Sequence, residues 1–503
     1  MGGREVSPVP PKVGIPQALT YHYRSFRILE RFLREAGAEV VCSPRTTPGI
    51  HATAATIGSA DFCLSLRLLI GHVHHLVTNH PDLDFLLVPY LCSEDGERTT
   101  TCSKHRDAGG VALRSLTRTL DHLIQHSPPA ARRAAVPVLE SAGVHPSGGL
   151  RLPVLLQPYV WSLEREAMFN VCFGVYCDVF GISPAARMVQ PLVPRSLRRY
   201  LAPYIQRCLE PFAVAYETIM HHDAGVLNGF LPDERAVRVA LVGRHYLIGE
   251  PLLTCDLKAW FLKAGASVIT PADLRPEDLQ PGPGAPQIFY DSHWLFDAMV
   301  EFLAPHVDGF IFAGSFGCHP DAFILDLLLD RARQMGIPAW LFRYDEQAGS
   351  AGFQTRYETI LRFLEQRRDR RLAGRTGPVA NTTVGPQAPV GHASRVPLIT
   401  WPYMSDGVEL VMRELAHQAG LTRYILPPRP ISETTLGLGS ETFPESCCPY
   451  AFSTGSLAET LAHYFRAHPE GPPRRIVVLM ARGAGPCSFG LYLHGQARDL
   501  PEV

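Results

Sequence analysis

A strand–helix–strand alternation recurs along this chain, and it commits the fold to parallel sheets. Residues 12–19 (KVGIPQAL) form a short apolar run broken by Gly14 and Pro16. Residues 25–38 place Phe26, Leu29, Phe32 and Leu33 on one helical face and end at Gly37, and residues 39–44 are the next strand. The pattern restarts at 237–243, with a helix over 252–266 and a strand at 267–271. It restarts again at 396–404, with a helix over 408–421 and a strand at 423–428. Strands joined through a helix pair in parallel, because the helix carries the chain back to the end at which the first strand began. Further strands are expected at 84–91, 308–318 and 337–345, with helices at 62–79 and 293–303. Residues 185–225 read as mostly helical, and the Pro/Gly-rich stretch 281–287 as a loop. The expected class is α/β: parallel-sheet three-layer domains with helices on both faces, plus a partial repeat domain at the C-terminus.

Loss of apolar periodicity after residue 366 divides the chain. We expect an N-terminal α/β domain with a helical segment over 12–235, a second α/β domain over 236–366, a flexible linker over 367–395, and a partial third module over 396–503. With 503 residues there is ample length for real cores. A net charge of -1 argues against nucleic acid or a polybasic membrane contact. No apolar run approaches the roughly 18 residues of a spanning helix, and the first residues lack the apolar stretch of a secretory signal. A cytoplasmic protein is expected.

The last module repeats the first. Cys63 follows Val13 by the same interval at which Cys447 follows Pro397, and Gly71 and Gly455 stand at equal distances beyond those cysteines. Cys102 and Cys487 come next, at intervals differing by one residue. Each copy thus has an acidic residue, a cysteine opening a helix, and a second cysteine after the following strand. A thiolate near a helix N-terminus is stabilised by the dipole, and thiolates are the preferred ligands of iron–sulfur clusters. Cys318 ends a strand in Ser-Phe-Gly-Cys-His-Pro-Asp, where open α/β sheets gather ligands. On the residues alone, two readings stand: Cys63, Cys102 and Cys318 converge on one cluster, or they are unrelated core thiols. Cys42, Cys172, Cys177, Cys208 and Cys255 are read as packing residues. His72, His74 and His75 are read as helix-surface or core-edge histidines rather than zinc ligands. For His245, at the end of a strand, a place in a ligand cleft is the reading.

These motifs resemble the acyl-CoA dehydratase activase-related proteins, relatives of 2-hydroxyacyl-CoA dehydratase, benzoyl-CoA reductase and double-cubane cluster proteins. The family's Glu-x-Cys-Leu-Pro-x-Lys stretch appears as Asp61-Phe62-Cys63-Leu64-Ser65-Leu66-Arg67, followed by Gly71-His72-Val73. Its Cys-Pro-Lys is Cys102-Ser103-Lys104, and its Phe-Gly-Cys-x-Pro-Asp is intact at 316–321. Its most specific motif is complete as Asp345, Glu346, Gly349, Ala351, Gly352, Thr355, Arg356 and Glu358. In the second copy the corresponding motifs are Glu445-Ser446-Cys447 and Gly485-Pro486-Cys487, with no counterpart of Cys318.

The resemblance implies an iron–sulfur cluster, [4Fe-4S] or double cubane, on Cys63, Cys102 and Cys318, with Cys447 and Cys487 as metal candidates of the second copy. Asp345, Glu346 and Arg356 would border the cofactor. It also implies low-potential electrons delivered by an ATP-dependent activase of the sugar kinase/actin type, and a homodimer. The chain itself has no GxxxxGK[ST] loop for ATP. Whether it is catalytic, as a component of a dehydratase/reductase system, stays open. The alternative is a non-catalytic accessory or cluster-carrying scaffold that binds an activase or dehydratase. The two Pro-to-Ser changes and the incomplete second copy favour that alternative.

Overall fold

A computed structural model of the chain describes residues 9–59, 62–94, 100–126, 144–145, 149–150, 152–182, 195–222, 235–274, 279, 291–345, 350–373, 397–442, 448–469, 475–481 and 492–500. It divides into two compact units. Unit 1 comprises residues 1–283, 288–316 and 337–376; unit 2 comprises 284–287, 317–336 and 377–503.

Unit 1 holds two four-stranded parallel sheets. In the first, β1 (Lys12–Ile15), α1 (Arg24–Glu35) and β2 (Glu39–Cys42) form the opening crossover, with Val13 beside Val40. Two helices follow, α2 (Pro48–Ile57) and α3 (Leu64–Asn79), before β3 (Phe85–Leu87) returns to the other side of β1. The short β4 (Tyr90–Leu91) continues from it, and α4 (Ser103–Arg106) and α5 (Ala108–His126) come next. After a small antiparallel pair, β5 (Val144–His145) and β6 (Gly149–Leu150), β7 (Val154–Leu156) completes the order β2-β1-β3-β7. β8 (Tyr159–Val160) pairs with β4. Helices α6 (Arg165–Val179) and α7 (Arg195–His222) pack with α1 over a core of Phe26, Phe32, Cys172, Phe173, Cys177 and Cys208.

The second sheet uses the same plan. β9 (Arg238–Gly243) leads through α8 (His245–Ile248) and α9 (Leu257–Lys263) to β10 (Ser267–Ile269). The chain then crosses by α10 (Asp291–Leu303) to β11 (Gly309–Ser315) on the other side of β9. Then α11 (His319–Gln334) and β12 (Ala339–Tyr344) give the order β10-β9-β11-β12. Every β11 residue is buried, as a central parallel strand requires. A single apolar core runs from Leu69, Val73 and Leu86 of the first sheet's surroundings to Val239, Leu241 and Ile311 of the second.

Some expectations are corrected. The helix expected from 252 starts only at Leu257, because Cys255 and Asp256 adopt left-handed backbone conformations, with φ of +49° and +61°. Strand β1 ends at Ile15, since Pro16 has no N–H for the ladder. Helix α12 (Ser350–Leu372) continues past residue 366, and Arg371 near its end ion-pairs with buried Asp308 at 3.0 Å. An arginine-rich stretch without apolar periodicity can stay helical when one side chain is anchored in this way. Residues 374–395 of the expected linker, and 281–287, lie outside the described residues.

Unit 2 contains β13 (Leu398–Thr400), α13 (Asp406–Gln418), α14 (Glu433–Thr442), α15 (Cys448–Arg466), β14 (Ile476–Val478) and α16 (Tyr492–Asp499). β13 and β14 are parallel. The strand expected at 423–428 is a 3-10 turn over 422–424, with one bridge from Ile425 to Ile399. Helix α11 is part of this unit: its Phe323 stacks edge-on against Tyr450 at 4.7 Å and lies 5.9 Å from Tyr492. The glycines singled out by the repeat do the same physical work in both units. A Cβ at Gly71 would lie 2.6 Å from the Ile50 carbonyl oxygen, and one at Gly455 would lie 1.6 Å from that of Thr435. Each therefore lets two helices, α2 with α3 and α14 with α15, meet at backbone contact.

Candidate functional site

The three first-copy cysteines occupy equivalent local positions. Cys63 caps α3, Cys102 caps the short α4, and Cys318 caps α11; all three are half-buried. The sulfur of Cys63 lies 3.4 Å from the hydroxyl of Ser65, the residue standing where the family motif has proline. Cys63 and Cys102 belong to unit 1, Cys318 to unit 2. Among the described residues, no group of three or more His, Cys, Asp or Glu side chains is placed to hold a metal ion. Asp345 directly follows β12 and is exposed. Arg356 is exposed on α12, its guanidinium 5.7 Å from the Phe353 ring centroid. Glu346, Cys447 and Cys487 lie outside the described residues. Of the cysteines read as packing residues, Cys172, Cys177 and Cys208 are buried; Cys42 and Cys255 are half-buried.

A different constellation is built within unit 1. In each sheet the first crossover runs to one side of the leading strand and the next to the other, so β1 and β9 are topological switch points. Crevices at the carboxyl ends of such strands are where α/β folds bind ligands. Here a cleft of about 470 Å³ is lined by the segment after β1 (Gln17, Tyr21, His22), by Arg45 after β2, and by Ile248–Pro251, Thr254, Asp256 and Lys258 after β9. That volume is ordinary for a small-molecule site.

A polar chain runs from this cleft into the core. Gln17 donates its backbone N–H to Ser43 Oγ at 2.8 Å, and Ser43 Oγ meets His72 Nδ1 at 2.7 Å. His72 Nε2 meets Thr46 Oγ1 at 3.0 Å, and Thr46 donates to Glu250 Oε2 at 2.6 Å. The carboxylate end fixes the directions: Thr46 gives its single hydroxyl proton to Glu250, so it accepts from His72 Nε2–H, and a neutral ring then leaves Nδ1 to accept from the Ser43 hydroxyl. His72 is fully buried, and burial pushes its pKa down to about 4, which keeps the neutral tautomer this chain of bonds needs. It is thus a core residue of α3, deeper than the helix surface or core edge expected of it. Glu250 Oε1 faces His22 Nε2 at 3.5 Å. His22 in turn sits against Gly249, where a Cβ would lie 2.6 Å from its Nδ1.

Strained backbone borders the same cleft. The described non-glycine residues with positive φ are Leu19, Cys255 and Asp256; Asp256 lines the cleft, and the other two stand between residues that line it. Such conformations cost about 1–3 kcal/mol each and persist where the surroundings over-determine them. The anchor on one side is a hydroxyl chain. Tyr344 donates to Tyr357 at 2.7 Å, and Tyr357 donates to the Thr254 carbonyl oxygen at 2.7 Å. Burial pushes Tyr21 up to about 12, so its hydroxyl remains a neutral donor. His245 is pushed down to about 3, by burial and then by the charges of Arg24, His22 and Arg244; it packs edge-on against Tyr23 and does not line the cleft. His22, Arg45, Thr46 and Glu250 carry no sequence motif. The usable signal was their position just beyond the ends of β1, β2 and β9.

Residues 12–129 match the family described as CoA enzyme activase uncharacterised domain (DUF2229), so this segment is an activase-related domain. It spans β1 to the end of α5 and contains Gln17, His22, Arg45, Cys63, His72 and Cys102. No curated protein matches the chain. Two solved structures align with it. One is described as the SBP FpvC from Pseudomonas aeruginosa in complex with Mn2+, at 11% identity and a TM-score of 0.22, covering 71% of this chain and 99% of that one. The other is the same SBP with a Ni2+ ion, at 13% identity and a TM-score of 0.20, covering 71% and 98%. At those scores neither carries an argument. Among the described residues no helix is long and apolar enough to cross a membrane.

Proposed function

We propose that this chain is a small-molecule-binding component of a CoA-enzyme activase system. The observation that carries the reading is the cleft of unit 1, placed at the switch points of two parallel sheets and bordered by strained backbone. Part of its wall comes from the activase-related segment and part from the second sheet. Gly249 offers the test. A leucine there runs into the His22 ring, 2.6 Å from where its Cβ would stand, and so crowds the cleft wall; circular dichroism checks that the variant folds. Equilibrium dialysis of the intact chain against a water-soluble metabolite extract is expected to retain a compound that Gly249→Leu does not. Identical retention by the two proteins would remove the cleft from consideration.

A second reading rests on the motif resemblance and on the chemistry of the cysteines, not on their placement, since no group of three metal-ligating side chains is found among the described residues. On this reading Cys63, Cys102 and Cys318 are the thiol donors of an iron–sulfur group, reduced by an ATP-dependent activase of the sugar kinase/actin type, and the chain pairs with a second copy. The donor chemistry supports it. These are three half-buried thiols, each standing at the N-terminal cap of a helix. Such a group, when bound, supplies one-electron chemistry. Iron and acid-labile sulfide after anaerobic purification decide it. About four irons per chain are expected, falling in Cys63→Ser, Cys102→Ser and Cys318→Ser. No iron after reconstitution, or wild-type iron in all three variants, overturns it.

A further inference from the structure

Within the cleft reading, we infer that the ligand is a small zwitterion, whose ammonium group is taken by Glu250 and whose anionic group is held by Arg45. Glu250 is almost wholly buried. One of its oxygens accepts from Thr46, and the other lies 3.5 Å from His22 Nε2, too long for a good hydrogen bond and an ion pair only when that ring is protonated. Among the described residues no lysine or arginine pairs with it. An ionised carboxylate can accept about four hydrogen bonds, and a buried one calls for a cation. A ligand ammonium supplies both the charge and the missing donors.

The other end of the ligand is set by Arg45. It lines the same cleft, is exposed, and makes no ion pair among the described residues. A guanidinium fork matches a carboxylate or phosphate. The cleft's second cation, Lys258, already lies 3.7 Å from Asp273, so Arg45 is the available anchor. A ligand with one charge leaves either Glu250 or Arg45 unmet, whereas a zwitterion meets both. Ile248 and Leu262 also line the cleft and give a carbon chain between the two charges an apolar surface.

Isothermal titration of the intact chain with β-alanine, 4-aminobutyrate and 6-aminohexanoate tests this, with butylamine and butyrate as single-charge controls at matched ionic strength. At least one amino acid is expected to bind about tenfold or more tightly than either control. Glu250→Gln, which keeps an acceptor for Thr46, and Arg45→Ala, at an exposed position, should each weaken that binding by about tenfold or more. Their folding is checked by circular dichroism. Controls that bind as well as the amino acids, or two folded variants with wild-type affinity, overturn the zwitterion. If no amino acid binds while Gly249-dependent retention of a metabolite persists, the ligand class is wrong and the cleft stands. If both fail, both readings fall.

Discussion

Gly455→Ala should destabilise unit 2 by more than about 3 kcal/mol, beyond the usual cost of overpacking. A Cβ at Gly455 would lie 1.6 Å from the Thr435 carbonyl oxygen, and one at Gly439 would lie 1.8 Å from that of Ala451. The obstacles are backbone atoms of the facing helix, not side chains that can rotate away. Relief requires α14 and α15 to separate along their whole contact. That separation also strains the bonds that tie α15 to its surroundings, such as Thr460 Oγ1 accepting from the Arg429 N–H at 2.8 Å. Gly71→Ala in unit 1 meets the Ile50 carbonyl oxygen at 2.6 Å and the Ala54 Cβ at 3.0 Å, a milder clash. Its expected cost is about 1–3 kcal/mol. Hydrogen exchange along residues 448–466 and 64–79 reports each helix separately. Faster exchange confined to the altered helix pair, and larger for Gly455→Ala, is the expected result. Equal, unchanged protection in both would mean that the helices do not meet at backbone contact.

Acid should weaken unit 1 as pH falls below about 6.5. The unfolded chain presents an ordinary histidine, protonating near pH 6.5. Folded His72 resists protonation until about pH 4, because burial penalises the imidazolium. As pH falls below about 6.5 the unfolded state takes up the proton first, so stability declines. At about 1.4 kcal/mol per pKa unit, the contribution is whole above pH 6.5 and some 3 kcal/mol is lost by about pH 4. His245, pushed down to about 3, acts in the same direction. Urea midpoints between pH 7.5 and 4.5 should fall in wild type. His72→Gln should start lower, by about 1–3 kcal/mol for its disrupted bonds, and fall less steeply. Parallel slopes would show that His72 is not the group being titrated.

The residues that matter were unequally legible. Cys63 was readable as a helix-opening residue because capping is local, the apolar run that follows it announcing the helix; Cys318 was read only as the end of a strand, and the helix it caps was not expected. The parallel sheets were readable for the same reason, since each strand–helix–strand unit spans only some thirty residues. Glycine at 71 and 455 could be found as a repeat but not explained. Its role appears only when a second helix presents its carbonyl oxygen at that spot. The start of α9 was misplaced because left-handed conformations at Cys255 and Asp256 leave no trace in apolar periodicity.

By itself the sequence determined the α/β class, the places of most strands and of fewer than half the helices, and the family of residues 12–129, all of which depend on contacts between near neighbours or on local motifs. Only the tertiary structure decided that Gln17, Ser43, Thr46, His72 and Glu250 form one hydrogen-bonded line. The reason is distance along the chain. Glu250 lies 204 residues from Thr46, and they meet because two separately wound sheets turn the ends of β2 and β9 toward one cleft. No pattern within a single segment encodes a meeting that depends on how two sheets pack.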